Sequence, residues 1–183
     1  MAQLLKEPEL TAEQWRRLED EAGLEYVDGR FEEKNVSRDS SRVAMNIALQ
    51  LQLVQGKPRT VEVYGQDLAY RCHPEKPNWI RKPDVSVIRK ERLSDLGDVG
   101  MMPIPADLAV EVVSPNDLVR DVNQKIEEYL AAGFKLVWVV SPEMRMVDVF
   151  RADGGITRLR ANDSITAEAV LPEFRCQVAD FFK

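Results

Sequence analysis

Two carboxylates and one lysine sit where their chemistry needs a partner. Glu111 interrupts the run Leu108-Ala109-Val110-Glu111-Val112-Val113, which is apolar in both alternating phases and so reads as an internal strand. An ionised carboxylate there is costly to desolvate unless a buried arginine or a metal ion meets it. Asp84 follows Arg81-Lys82-Pro83 and opens a second apolar run, Asp84-Val85-Ser86-Val87-Ile88. It reads either as a turn carboxylate after the proline or as a second acid at a sheet edge. A pair of such oxygen ligands suits a hard divalent ion, since Mg²⁺ is often held by one or two carboxylates plus water and phosphate. Lys125 is the third piece. At ~100° per residue it falls within about 40° of Leu118 and Tyr129 around a helix axis. That puts it beside the apolar stripe Leu118, Val122, Ile126 and Tyr129, away from Glu127 and Glu128 on the solvated face. Such a lysine either snorkels along the core edge or reaches Glu111, where it would stabilise developing charge or orient a water.

Periodicity and punctuation place the elements that must hold these groups. Thr11-Ala12-Glu13-Gln14 has the form of a capping box and opens a helix ending near Gly23. Strands over 24–27 and 30–36 flank the tight turn Asp28-Gly29. Val43, Ile47, Leu51 and Val54 predict a helix over 39–55, stopped by Gly56 and Pro58. Short strands over 61–64 and 68–70 precede the strands of Asp84 and Glu111. Those two are joined by a Gly-, Pro- and charge-rich loop over 91–105, expected to be mobile. A helix over 117–132 is closed by Gly133. Strands over 136–140 and 146–150, one last strand after Asp153-Gly154-Gly155, and a short terminal helix over 177–182 complete the chain. The order predicts an α/β fold with a mixed central β-sheet flanked by helices.

With 183 residues, of which 44% are hydrophobic and 31% charged, the chain fits a single domain, 1–183, with one core. A formal charge of −6 argues against a bulk electrostatic DNA binder but leaves room for a local basic patch. Cys72 and Cys176 are the two cysteines and have no metal-ligand spacing, so two free thiols in a reducing compartment are expected. No basic start followed by an apolar stretch opens the sequence and no apolar run approaches ~20 residues. A cytoplasmic protein without membrane spans is therefore expected.

Several other signals carry less. Ser114-Pro115-Asn116-Asp117 lacks a nucleophile elbow and fits capping of the following helix better than a nucleophilic serine. No Gly-x-Gly-x-x-Gly or Walker loop supports a nucleotide cofactor. His73, beside Pro74 in a polar loop, is expected to be exposed and has no assigned role. Arg81, Lys82, Arg89, Lys90 and Arg92 read as a solvated edge, or beside a metal as a track for a phosphate backbone.

Arg81-Lys82-Pro83-Asp84-Val85-Ser86-Val87, Ala106 to Pro115 with Glu111 inside it, Asp121, Lys125, Tyr129, Ala132-Gly133 and Val137-Trp138-Val139-Val140 together resemble the Uma-two family, assigned to the PD-(D/E)xK nuclease superfamily. The resemblance runs from about Glu25 onward. It implies a restriction-endonuclease-like fold and a hydrolase that cuts phosphodiester bonds of nucleic acid, with DNA favoured. It matches Asp84 and Glu111 to the metal-binding acids and sets Val113 where other superfamily members carry a lysine. Lys125 then looks like the migrated replacement. Glu25-Tyr26-Val27-Asp28-Gly29 resembles an early family segment that would bring Glu25 to the same cleft, although Glu25 by itself reads as an exposed hairpin residue. Where many members have a histidine before the second helix, this chain has Ser40-Ser41-Arg42. The implied cofactor is Mg²⁺, with Mn²⁺ as a substitute, held by Asp84, Glu111 and the Val112 carbonyl. The implied assembly is a homodimer. The competing readings are a nuclease-fold protein that binds nucleic acid or a protein partner without cutting, and a structural dimer module.

Overall fold

The fold is described from a computed structural model covering residues 10–21, 23–54, 58–97, 100–168 and 170–183. The Thr11 capping box forms, with reciprocal bonds between Thr11 and Gln14, and starts α1 (Ala12–Asp20). β1 (Leu24–Val27) and β2 (Arg30–Glu33) pair antiparallel. Asp28 and Gly29 both have positive φ, 49° and 80°, which twists the turn to match the strands. A second capping box, Ser37 with Ser40, starts α2 (Arg38–Leu53). Gly56, expected to end that helix, lies outside the described residues, as do residues 1–9.

Then follow β3 (Val61–Gly65), β4 (Ala69–Tyr70), β5 (Val85–Arg89), β6 (Met101–Met102), β7 (Leu108–Val112) and α3 (Val119–Ala131). The remaining elements are β8 (Leu136–Ser141), β9 (Met146–Arg151), β10 (Ile156–Arg160), β11 (Ser164–Ala167), β12 (Leu171–Gln177) and a terminal 3₁₀ turn, Val178–Phe182. Six strands form one mixed sheet in the order β10-β9-β8-β7-β5-β3. Only β7 and β8 run parallel within it, and α3 supplies the crossover that a parallel pair requires. No helix of the described residues is long and apolar enough to cross a membrane.

α2 covers one face of the sheet, packing Val43, Ile47 and Leu51 on Val87, Val110 and Trp138. α3 covers the other, with Ile126 and Tyr129 against Ala109 and Val137. Every residue of β7 is buried, as its two apolar phases imply. Side chains alternate along a strand, so Leu108, Val110 and Val112 enter the α2 layer while Ala109 and Glu111 face α3. That parity delivers Glu111 to its helix.

The structure departs from the sequence reading at several points. α3 begins at Val119, because Leu118 has an extended backbone (φ −86°, ψ 135°) outside the helix. Leu118 is therefore off the apolar stripe and 51% exposed. Ser114 does not cap α3; its N–H donates to Asp117 and its hydroxyl to Ser40. His73 is buried, its ring 5.6 Å from that of Trp79. The loop over 91–105 contains β6, which pairs in parallel with β4. Past β10 the chain makes a further hairpin, β11–β12, whose register shifts at Thr166/Ala167 and so hides its alternation.

Candidate active site

β1 is paired with β2 on one side and, through Tyr26 and Ile80, with the segment before Asp84 on the other. Glu25 is consequently buried, at 1% exposure, instead of standing on an open hairpin. β7 brings Glu111, the residue before β5 brings Asp84, and α3 brings Lys125. The Lys125 ammonium lies 3.1 Å from Glu25 Oε2 and 3.4 Å from Glu111 Oε2. Asp84 Oδ2 accepts the Val112 N–H at 2.7 Å. Asp84, Glu111, Lys125 and Glu25, which the sequence singled out from four separate stretches, thus come together on the α3 face of the sheet, and Val112 joins them through its backbone while its side chain packs in the α2 layer.

Three further groups complete the cluster. Tyr129 donates its hydroxyl to Glu111 Oε1 at 2.6 Å. Lys34, the residue after β2, donates to Asp84 Oδ1 and to the Lys82 carbonyl, each at 2.6 Å. Arg81 is buried and reaches Glu25 at 2.9 Å, Glu32 at 2.6 Å and Glu128 at 2.7 Å. Glu128 also accepts the Trp79 indole N–H, so it is buried and does not share the solvated face with Glu127.

The basic edge is likewise not free. The Lys82 ammonium donates to the Leu18 and Glu21 carbonyls at the end of α1. Arg89 pairs with Glu91, Lys90 with Glu62 and Arg92 with Asp107. Tyr129 was visible in the sequence as an apolar stripe position and as part of the family-like motif, with no role attached to it. Arg81 had a usable signal, the apolar Trp79-Ile80 just before it; Lys34 had none.

Burial alone would push the Glu25 carboxyl up, but Lys125, Arg81, Lys34 and the Lys82 N–H outweigh it and hold it at about 2. Glu111 goes the other way. Its burial, with Asp84 and Glu25 nearby, raises its carboxyl against the pull of Lys125 and Lys34. Burial opposes the charges of Lys34 and Lys125, yet Glu111 and the other acids keep both ammoniums above their ordinary value. Burial, then Glu111, lifts the Tyr129 phenol well above its usual range, so it stays protonated and can donate.

A cavity of about 40 Å³ adjoins Glu111 and Lys125, walled by Val112, Asp117, Asp121 and Val122. It has room for a water-sized group. A wider groove of about 410 Å³ runs past Val113 between Ser37, Ser114 and Glu143. No group of three or more His, Cys, Asp or Glu side chains able to hold a metal ion occurs among the described residues. Asp84 and Glu111 nevertheless offer hard oxygen donors on one face, which fit Mg²⁺ in type, with an ammonium now against Asp84.

Residues 11–179 match the Uma2 family, described as "Putative restriction endonuclease". The crystal structure of a putative nuclease belonging to DUF820, from Anabaena variabilis, shares the fold with a TM-score of 0.76. It is 18% identical, over 87% of this chain and 89% of that one. No curated protein matches the chain.

Proposed function

The chain belongs to the Uma2 family, and from that premise we propose that it hydrolyses phosphodiester bonds in nucleic acid, DNA in particular, with Mg²⁺ or Mn²⁺. The observation that carries the reading is the convergence of Asp84 and Glu111 on one sheet face, with Lys125 3.4 Å from Glu111. Two neighbouring acids, here the buried Glu111 and the half-buried Asp84, repel each other until cations join them.

In this reading Asp84, Glu111 and the Val112 carbonyl hold the divalent ion. Bound there, the ion supplies Lewis acidity to the phosphate and lowers the pKa of a coordinated water. Lys125 would orient the attacking water, or stabilise the negative charge that builds on the phosphate oxygens as the water oxygen bonds to phosphorus and the leaving P–O bond breaks. Glu25 and Tyr129 are positioning residues. Glu25 fixes the Lys125 ammonium at 3.1 Å, and Tyr129 fixes one oxygen of Glu111. Two such sites in a homodimer would cut both strands of a duplex, as two-fold pairing of single-cut sites allows.

Incubation of purified protein with supercoiled and linear DNA in Mg²⁺ tests the reading. Nicking or linearisation that disappears with EDTA is expected. Its absence, with Mn²⁺ as well, would favour a nuclease-fold binder that does not cut. The salt bridge from Lys34 to Asp84 is the observation on that side. Light scattering at micromolar concentration tests the dimer, which a monomer with and without DNA would remove.

A further inference from the structure

Reading Asp84 and Glu111 as a cation site leaves one group to explain. The Lys34 side chain is 5% exposed, and its ammonium touches Asp84 at 2.6 Å. A lysine just past a hairpin strand ordinarily extends into water, because burying an ammonium is expensive without close compensation. Here the acids compensate it. The Lys82 carbonyl fixes it from a second side, and Glu111 and Glu25 favour its charge from across the cluster. Glu25 and Glu111 share Lys125, and Arg81 is divided among Glu25, Glu32 and Glu128, which leaves Lys34 as the cation in direct contact with Asp84. A doubly charged ion placed against Asp84 would therefore meet the Lys34 ammonium on the same carboxylate, in a setting where like charges a few ångströms apart repel strongly.

We infer that Lys34 is a built-in stand-in for the divalent cation, occupying its place on Asp84 and swinging out before a metal ion can bind there. An open pocket of about 410 Å³, lined by Lys34 itself with Glu21, Leu24, Glu33, Val36 and Gln66, gives the displaced side chain somewhere to go. Glu21 and Glu33 on its walls offer new partners. The metal-free protein thus keeps its acids paired, and metal binding is weakened by the work of expelling one ammonium. The inference rests on the metal reading of Asp84 and Glu111.

Titration of the full chain with Mn²⁺ alone, by calorimetry and thermal unfolding and without nucleic acid, tests it. Lys34→Met should bind Mn²⁺ at least about tenfold more tightly than the parent, about 1.4 kcal/mol. It should also melt lower in EDTA and gain more from Mn²⁺. Lys34→Arg, which keeps the charge, should bind no more tightly than the parent. Lys34→Gln gives the same comparison if the Met variant does not fold. Equal or weaker binding by Lys34→Met, with binding abolished by Glu111→Gln, would overturn the role of Lys34 and leave the metal site standing. No Mn²⁺ binding by the parent or by any Lys34 variant would overturn the metal site itself, and the inference with it.

Discussion

The Tyr129 hydroxyl lies 2.6 Å from Glu111 Oε1, while Lys125, one helical turn earlier, reaches Oε2 of the same carboxylate at 3.4 Å. Positions i and i+4 of α3 share a face and hold the two oxygens of one acid on β7. The acid is oriented from the helix, not from its own strand.

Glu111→Gln keeps an oxygen for the Tyr129 hydroxyl and removes a costly buried charge. Lys125 retains Glu25 as a partner. Unfolding free energy in urea should change by no more than about 1 kcal/mol, while Mn²⁺ binding and DNA cleavage vanish. A drop of about 3–5 kcal/mol would instead mark Glu111 as half of a structural ion pair.

Lys125→Met preserves the aliphatic stem. Glu25 keeps Arg81 and the Lys82 N–H, and Glu111 keeps Tyr129, so a loss of about 1–3 kcal/mol is expected. Cleavage should fall by about 10²-fold or more, the scale of removing one charge-stabilising donor. Undiminished cleavage by a folded variant would refute the role proposed for Lys125.

The two buried glutamates give opposite pH dependences. Glu25, held at about 2 against an ordinary 4.5, contributes stability that is complete above the ordinary value and is lost as pH falls toward about 2. Glu111 is raised, so its contribution is complete below 4.5 and is lost as pH rises through its folded value. Parent-minus-variant stability should therefore rise with pH for Glu25→Gln and fall with pH for Glu111→Gln. Chemical denaturation from about pH 2 to 8 measures both slopes, and slopes of the same sign would contradict the assignment.

Arg81 is 1% exposed, and its guanidinium serves Glu25, Glu32 and Glu128. Arg81→Met leaves Glu25 and Glu128 buried with fewer donors, at a cost of about 3–5 kcal/mol. Arg81→Lys should recover only part of that, because a point-like ammonium cannot span three carboxylates as a planar fork does. Full recovery in thermal unfolding would show that charge alone matters.

Much of the frame was legible because local signals dominate there. The Thr11-Gln14 box, the Asp28-Gly29 turn and the doubly apolar β7 each follow from short-range chemistry. Lys125 was placed correctly beside the apolar stripe, although Leu118, used to fix its phase, proved to be outside the helix. What failed was partner identity across distance. Nothing in the spacing of Arg81 and Glu128 announces a salt bridge 47 positions apart, so Glu128 reads as a solvated charge and Arg81 as a solvated edge or a track for phosphates. Lys34 meets Asp84 across 50 positions and was missed for the same reason.

The Lys125–Glu25 contact joins the β1–β2 hairpin to a helix 100 residues later in the chain. Chains emerge from the ribosome N-terminus first, and a domain generally folds as a unit. A nascent chain therefore displays its hairpin, and then Asp84, well before α3 exists to close the cluster. The full set of acids and lysines is assembled only once translation has passed Tyr129. Any chemistry that needs Lys125 beside Glu25 and Glu111 therefore waits until α3 has left the ribosome.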